Sequence, residues 1–354
     1  MRTIALSLFL LFPIGLRAAW TFETISNASE GHMASRVMPL SEERTLIAYK
    51  SGNSLMAATS TGGALVPETL LSVAIPSRIY ASVGTRGAGL ISLWNAGAFW
   101  YALQLTPGAG NCGPSSNWQC GTVKVPNNTT GQLVDSIVGQ ADANLNAHFF
   151  YRLRTTNNVN NGIYYVKRSA AGVWTTPVKI ILATMTGKGP VAIEVASDSS
   201  MGFLAVGSGG ATYVSRFNGV FSDNNNLNTL PVTGLTSADM QKAVGPYKFC
   251  STKEPGELHM LSRSQITGQW LGIISVPAPL ETARPHCSIQ VNSAGYPVVA
   301  YTSTADVVRL WRNGVWETVD ASSVFSKPII DLTPADKLLI LYQGAGFLKF
   351  GREQ

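Results

Sequence analysis

Short apolar runs separated by polar turns recur along most of the chain. The compact runs open at Leu46 ("LIAYK"), Leu90 ("LISLW"), Phe149 ("FFYRL"), Phe203 ("FLAV"), Leu258 ("LHML"), Val298 ("VVAY") and Leu339 ("LILY"). Their starts lie roughly 40 to 60 residues apart, a spacing that marks repeated supersecondary units. Apolar residues fill these runs almost continuously, the pattern of strands covered on both faces. A polar turn and a further strand-like run follow each. Another strand precedes most of them, most clearly in "HCSIQVNSAGYPVVAY", His286 to Tyr301. Three units then show Gly-Val-aromatic at a turn: "AGVW" from Ala171, "NGVF" from Asn218 and "NGVW" from Asn313. Glycine at such a turn supplies the positive φ of a tight hairpin.

The unit is therefore four antiparallel strands, and its recurrence predicts an all-β protein, a β-propeller of seven blades with six or eight as alternatives. Leu258 is expected to open the second strand of the fifth unit, with "SVPAPLETA" as its outer strand. The last unit, "KPIIDL", "LLILY" and "FLKFG", lacks a fourth strand. The first strand after the apolar leader, "WTFETI" from Trp20, resembles the outer strands "WETV" at Trp316, "WTTPV" at Trp174 and "WQCGTV" at Trp118. Pairing of Trp20–Ile25 with the C-terminal unit would close the ring and remove two unpaired edges.

Composition narrows the class. The chain has 354 residues, 13% of them charged and 34 of them glycine, which suits strands and turns better than helices. Residues 1–18 read as a signal peptide: Arg2, an apolar run broken by Pro13 and Gly15, then Ala18. Residues 19–354 form one propeller domain. Export to the periplasm, the cell surface or the medium is expected, with no transmembrane segment. Loss of Arg2 and Arg17 with the leader lowers the formal charge from +6 to +4, too little to suggest nucleic acid as a partner. Four cysteines in an exported chain suggest two disulfides, Cys112–Cys120 around one loop and Cys250–Cys287. No Cys-x-x-Cys or His-x-x-x-His occurs, so no metal and no cofactor is expected. The Asn-rich loops from Thr155 and Ser222 lack the alternating carboxylates of a calcium site.

Basic residues fall where the chain is expected to enter the innermost strands: Arg36, Arg78, Lys188, Lys242, Arg284 and Lys327, with His286 beside Arg284. Gathered around one mouth, they would focus a positive potential. Arginine offers a two-pronged match to carboxylates and phosphates. His148 and His259 lie in strands and read as packed imidazoles. Trp118, Trp174, Trp270 and Trp316 recur at one place in their units and read as packing between blades. The loop "TPGAGNCGPSSNWQCG" from Thr106 is a candidate contact surface.

"NSAGYPVVAYTSTADVVRLWRNGVWETVD", Asn292 to Asp320, resembles blades of secreted bacterial β-propellers, the loose group of BNR/sialidase-like and lectin-like repeat proteins. Sialidase repeats carry Ser-x-Asp-x-Gly-x-x-Trp boxes, of which "SDSSMGF" from Ser197 is the nearest trace. Their Arg-Ile-Pro signature is matched in part by "SRVMP" at Ser35 and "SRIY" at Ser77. The resemblance supports the fold more than any activity, because propellers host many functions. No Gly-x-Ser-x-Gly elbow, phosphate loop or dinucleotide fingerprint is present. The expected function is a non-catalytic binding module for an anionic glycan or an envelope or extracellular protein. A glycoside hydrolase or lyase and a structural component of an envelope assembly are the alternatives. The sequence leaves catalytic residues and oligomeric state undefined.

Overall fold

A computed structural model describes residues 19–26, 36–61, 64–72, 77–83, 88–95, 97–104, 112, 117–126, 132–155, 161–180, 189–195, 201–207, 210–217, 220–222, 235–241, 247–253, 257–263, 270–275, 283–312, 314–321, 328–344 and 347–354. Residues 1–18, His32, Lys188, Lys242, Lys327 and most of both Asn-rich loops lie outside them. The described elements are all strands, arranged in seven four-stranded antiparallel sheets.

The first described strand is β1 (Trp20–Ser26). The first sheet is β2 (Arg36–Pro39), β3 (Arg44–Ser51), β4 (Ser54–Thr61) and β5 (Val66–Ser72). The second is β6 (Ser77–Val83), β7 (Gly89–Asn95), β8 (Ala98–Gln104) and β9 (Trp118–Thr122). The third is β10 (Gln132–Ala141), β11 (Ala147–Thr155), β12 (Gly162–Arg168) and β13 (Val178–Ile180). The fourth is β14 (Gly189–Val195), β15 (Met201–Gly207), β16 (Gly210–Phe217) and β17 (Val220–Ser222). The fifth is β18 (Leu235–Gln241), β19 (Tyr247–Lys253), β20 (Glu257–Arg263) and β21 (Trp270–Ser275). The sixth is β22 (Ala283–Val291), β23 (Pro297–Ser303), β24 (Val308–Arg312) and β25 (Val315–Asp320). The seventh joins β26 (Ile329–Leu332), β27 (Leu338–Gly344) and β28 (Phe347–Glu353) to β1.

The pairing expected for the chain ends is present. β1 runs antiparallel to β28, from Trp20 opposite Glu353 to Ser26 opposite Leu348. The Gln354 N–H donates to the Ala19 carbonyl at 3.0 Å. A side chain at Gly351 would collide with the Phe22 ring and Ile340, so glycine lets Phe22 lie against β28. Apolar clusters sit between successive sheets. One places Ile47, Tyr49 and Ala58 of the first sheet against Leu339, Leu341, Leu348 and Phe350 of the seventh, so last packs on first. The first strands of the sheets also touch in cyclic order, β2, β6, β10, β14, β18, β22, β26 and back to β2.

Burial follows strand position. Every residue of β27 is buried, as are five consecutive residues of β3 and six of β23, whereas β25 has none. One turn recurs at the hairpins. Asp142–Asn146, Ser169–Val173, Asn292–Tyr296, Ser303–Val307 and Thr333–Lys337 each close with two backbone bonds, and the first side chain accepts from the fifth N–H. The fourth residue has positive φ in every copy: Leu145, Gly172, Gly295, Asp306 and Asp336. This is the three-residue hairpin loop whose last position is left-handed.

The fifth sheet departs from expectation. Leu258 lies in β20, the third strand, and the second is β19, "YKFCSTK". The outer strand is β21 from Trp270, so "SVPAPLETA" is not it. The innermost strand, β18, ends at Gln241. Lys242 therefore follows that strand instead of leading into it. Polar residues in β19 disguise a buried strand: Ser251 and Thr252 are buried beside Cys250.

Candidate ligand-binding site at the leading ends of the inner strands

Chain direction gives each sheet two ends: one carries the turns after the innermost strand, and the other carries that strand's first residues. Arg36 opens β2, Arg78 is second in β6, and Arg284 is second in β22, with His286 two residues on. All three arginines thus occupy the leading end. Lys188 immediately precedes β14, and Lys327 precedes β26, but both lie outside the described residues.

The register adds a feature absent from the sequence pattern. Five inner strands carry a bulge near this end. Pairing with the second strand shifts across Arg78 in β6, Asp135 in β10, Val191 in β14 and Thr236 in β18. In β22 the segment Arg284-Pro285-His286 stands opposite Thr302 alone, since Ala283 pairs with Ser303 and Cys287 with Tyr301. A bulge leaves its extra residue outside the ladder and redirects it, which is why bulges collect beside functional sites. Two of the three described leading arginines lie in bulges; the third sheet has Asp135 there. Arg152, partly exposed, pairs with Ser136 just beyond the β10 bulge. It is a basic residue of this end that the sequence hid inside an apolar run.

Below the bulges the free edges of the inner strands are satisfied from their neighbours. Ser82 Oγ donates to the Gly139 carbonyl at 2.7 Å, and the Val195 N–H donates to Gln140 Oε1 at 2.7 Å. The Ile193 N–H donates to Tyr80 Oη at 3.2 Å, and the Ile330 N–H to Ser288 Oγ at 3.2 Å. These bonds tie β6 to β10, β10 to β14 and β22 to β26, and the Tyr80 bond reaches past β10 from β6 to β14; the leading ends are left as the irregular part of the inner strands.

Both expected disulfides are present. Cys250 of β19 bridges to Cys287 of β22 with Cα atoms 6.3 Å apart. The bridge joins the fifth sheet to the sixth immediately after the Arg284–His286 bulge. Cys112–Cys120 pins the long loop. The Cys112 N–H donates to the Leu70 carbonyl of β5, so this part of the loop covers a neighbouring sheet's outer edge.

Other polar groups have structural roles. His148, Asp142 and Tyr165 form a buried chain: His148 Nδ1 is 2.8 Å from Tyr165 Oη, and Nε2 is 3.2 Å from Asp142 Oδ2. Burial alone would raise the Asp142 pKa. Hydrogen bonds from His148, the Asn146 side chain and the Asn146 and Asn144 N–H groups outweigh it and hold the carboxyl well below its ordinary range. Trp118 is buried, and Trp174 and Trp316 pack on clusters spanning two sheets, as their spacing suggested. Cations also occur at the turn end. Burial lowers the pKa of Lys248, whose Nζ donates to Ser262 Oγ at 2.7 Å. Among the described residues no group of three or more His, Cys, Asp or Glu is placed to hold a metal ion. No helix among them is long and apolar enough to cross a membrane.

No protein-family model matches the chain, and no curated protein sequence does. Solved structures match over almost its full length. YCF48 bound to D1 peptide superposes with a TM-score of 0.56 at 15% identity, over 94% of each chain. Inactivated virginiamycin B lyase from Staphylococcus aureus, solved with quinupristin, gives 0.58 at 9% identity over 95% of this chain and all of that one. The WD40 β-propeller domain of Doa1 gives 0.57 at 10% identity, over 96% and 98%. At these identities the likeness establishes the fold: an all-β protein of the β-propeller type.

Proposed function

We propose that the chain is an exported seven-bladed β-propeller, closed by its N-terminal strand, that binds an anionic ligand at the leading ends of its inner strands. The cyclic contacts of seven sheets and the β1–β28 pairing support the blade count and the closure. The leader and two disulfides support export. The observation that carries the binding reading is the coincidence of bulge and arginine: Arg78 and Arg284 interrupt their ladders at the same end where Arg36 begins β2. Lys188 and Lys327 belong to this set by sequence position. His286 shares the Arg284 bulge.

A carboxylated or phosphorylated glycan suits several arginines around a concave mouth. A protein ligand with an acidic segment is the second reading, favoured by a neighbouring propeller solved with a bound peptide. Binding is preferred to glycoside hydrolysis because the described bulges hold one carboxylate, Asp135, where hydrolysis uses a pair. A glycan array on the mature protein, run beside the Arg78→Ala/Arg284→Ala variant, tests the reading. Anionic glycans are expected to bind in a salt-sensitive manner, with the variant weakened about tenfold or more. Equal binding by both proteins removes the arginine mouth. Capture of acidic peptides without glycans selects the second reading.

A further inference from the structure

A cleft of about 270 Å³ opens between the sixth and seventh sheets, and none of its lining residues belongs to an innermost strand. It is lined by Phe22, Glu23 and Thr24 of β1, Val319 and Asp320 of β25, Tyr342 of β27 and Lys349 of β28. Its origin is legible in the pairing. Thr24 faces Lys349, and Phe22 faces Gly351, whose missing side chain lets the ring drop onto β28. With the ring laid down on β28, the cleft lies between these residues and the outer strand of the sixth sheet.

The chemistry of the walls is specific. Asp320 Oδ2 accepts from Lys349 Nζ at 2.8 Å and from Tyr342 Oη at 2.9 Å. Asp320 and Lys349 are thus already paired inside the cleft, and the remaining lining carboxylate, Glu23, is engaged by the Leu65 N–H of the first sheet. A charged ligand would have to compete with these contacts, whereas a neutral ligand bearing hydroxyl groups can meet the polar groups without displacing a charge partner. Beside this polar cluster Phe22 is 44% exposed, with Trp20 stacked on it at 5.9 Å and Tyr342 edge-on at 6.2 Å. An aromatic surface next to converging polar groups matches a molecule with an apolar C–H face and a rim of hydroxyls. The volume lies below the roughly 300–1,000 Å³ of sites for drug-sized ligands, so a single ring fits.

We infer that this cleft is a binding site for one neutral monosaccharide unit, separate from the arginine mouth. Because β1 forms one wall, occupancy also fastens the strand that joins the chain ends.

The test titrates the mature protein with neutral hexoses, 6-deoxyhexoses and N-acetylhexosamines, read by saturation-transfer NMR and tryptophan fluorescence. At least one sugar saturates. Thr24→Trp, which fills the cleft from an exposed strand position, and Asp320→Asn, which removes the carboxylate partner of Lys349, each weaken that binding about tenfold or more. Arg78→Ala/Arg284→Ala leaves it unchanged, so the two sites fail independently. Thr24→Trp must keep the wild-type melting profile, and Asp320→Asn, which loses a seam ion pair, must still unfold in one cooperative transition. Absence of saturation by every sugar, or binding that survives Thr24→Trp, overturns the assignment.

Discussion

The seam between the second and third sheets and the seams around the seventh sheet solve one problem by different means. The first is made by consecutive chain and filled with rings. Phe99 meets Tyr151 at 4.8 Å, and Tyr101 meets both Phe149 and Trp174 at 5.7 and 5.6 Å. Arg168 lies over Tyr101 and donates to Gln119 Oε1 at 2.7 Å. The seventh sheet, assembled from both chain ends, adds ionic and directional contacts. Arg312 of the sixth sheet donates to Glu353 at 2.6 Å, and Lys349 reaches Asp320. On the other side the Leu65 N–H donates to Glu23 Oε2 at 3.1 Å, and Arg352 donates to Ser60 Oγ at 3.0 Å. Apolar packing contributes most free energy but tolerates sliding. Paired charges contribute little but suit one alignment. A strand that arrives from the far end of the chain needs that alignment, because a one-residue slip turns every side chain to the wrong face.

The contrast breaks most severely at β1. Deletion of residues 19–26 strips β28 of its outer partner and exposes the cluster around Leu348 and Phe350. Calorimetry is expected to show loss of the single cooperative transition, or a protein that no longer accumulates in soluble form. Next comes Phe149→Ala in the continuous seam, where a fully buried ring is removed. A loss of about 3–5 kcal/mol is expected from urea unfolding.

A pH series gives a smaller effect. Asp142 has a folded pKa below its unfolded value of about 3.9, so its stabilising contribution is complete above that value and disappears as pH falls further. Asp142→Asn is therefore expected to unfold more easily at neutral pH. Its stability should also decline less steeply than wild type below about pH 4 in denaturant titrations. Smallest is Arg312→Met, expected to cost about 1 kcal/mol or less in urea, since the ion pairs are partly exposed. Its sharper consequence is faster amide exchange in β1, reflecting weaker register control. A large stability loss without a change in exchange would reverse the assigned division of labour.

The repeat was legible because second strands are apolar on both faces, and because a hairpin signal such as "NSAGY" marks the turn that Gly295 makes with positive φ. The terminal pairing was legible because "WTFETI" has the alternation of an outer strand. The fifth sheet misled because β19 buries Ser251 and Thr252, so "YKFCSTK" lacks the apolar signature, and "LHML" took its place. The leading arginines Arg36, Arg78 and Arg284 were found from position alone. Their bulges were not, since a bulge is a property of two strands in register. The seam cleft was equally invisible: Phe22, Asp320 and Lys349 come from three distant stretches, and only the pairing of the chain ends brings them together.

Hydrogen exchange of the intact protein, followed by mass spectrometry, tests the closure most directly. Amides of residues 20–26 and 348–353 are expected to be protected together and to exchange through one shared opening, as strands of one sheet. Exchange of residues 20–26 at the rate of unstructured peptide, with 348–353 still protected, would contradict it.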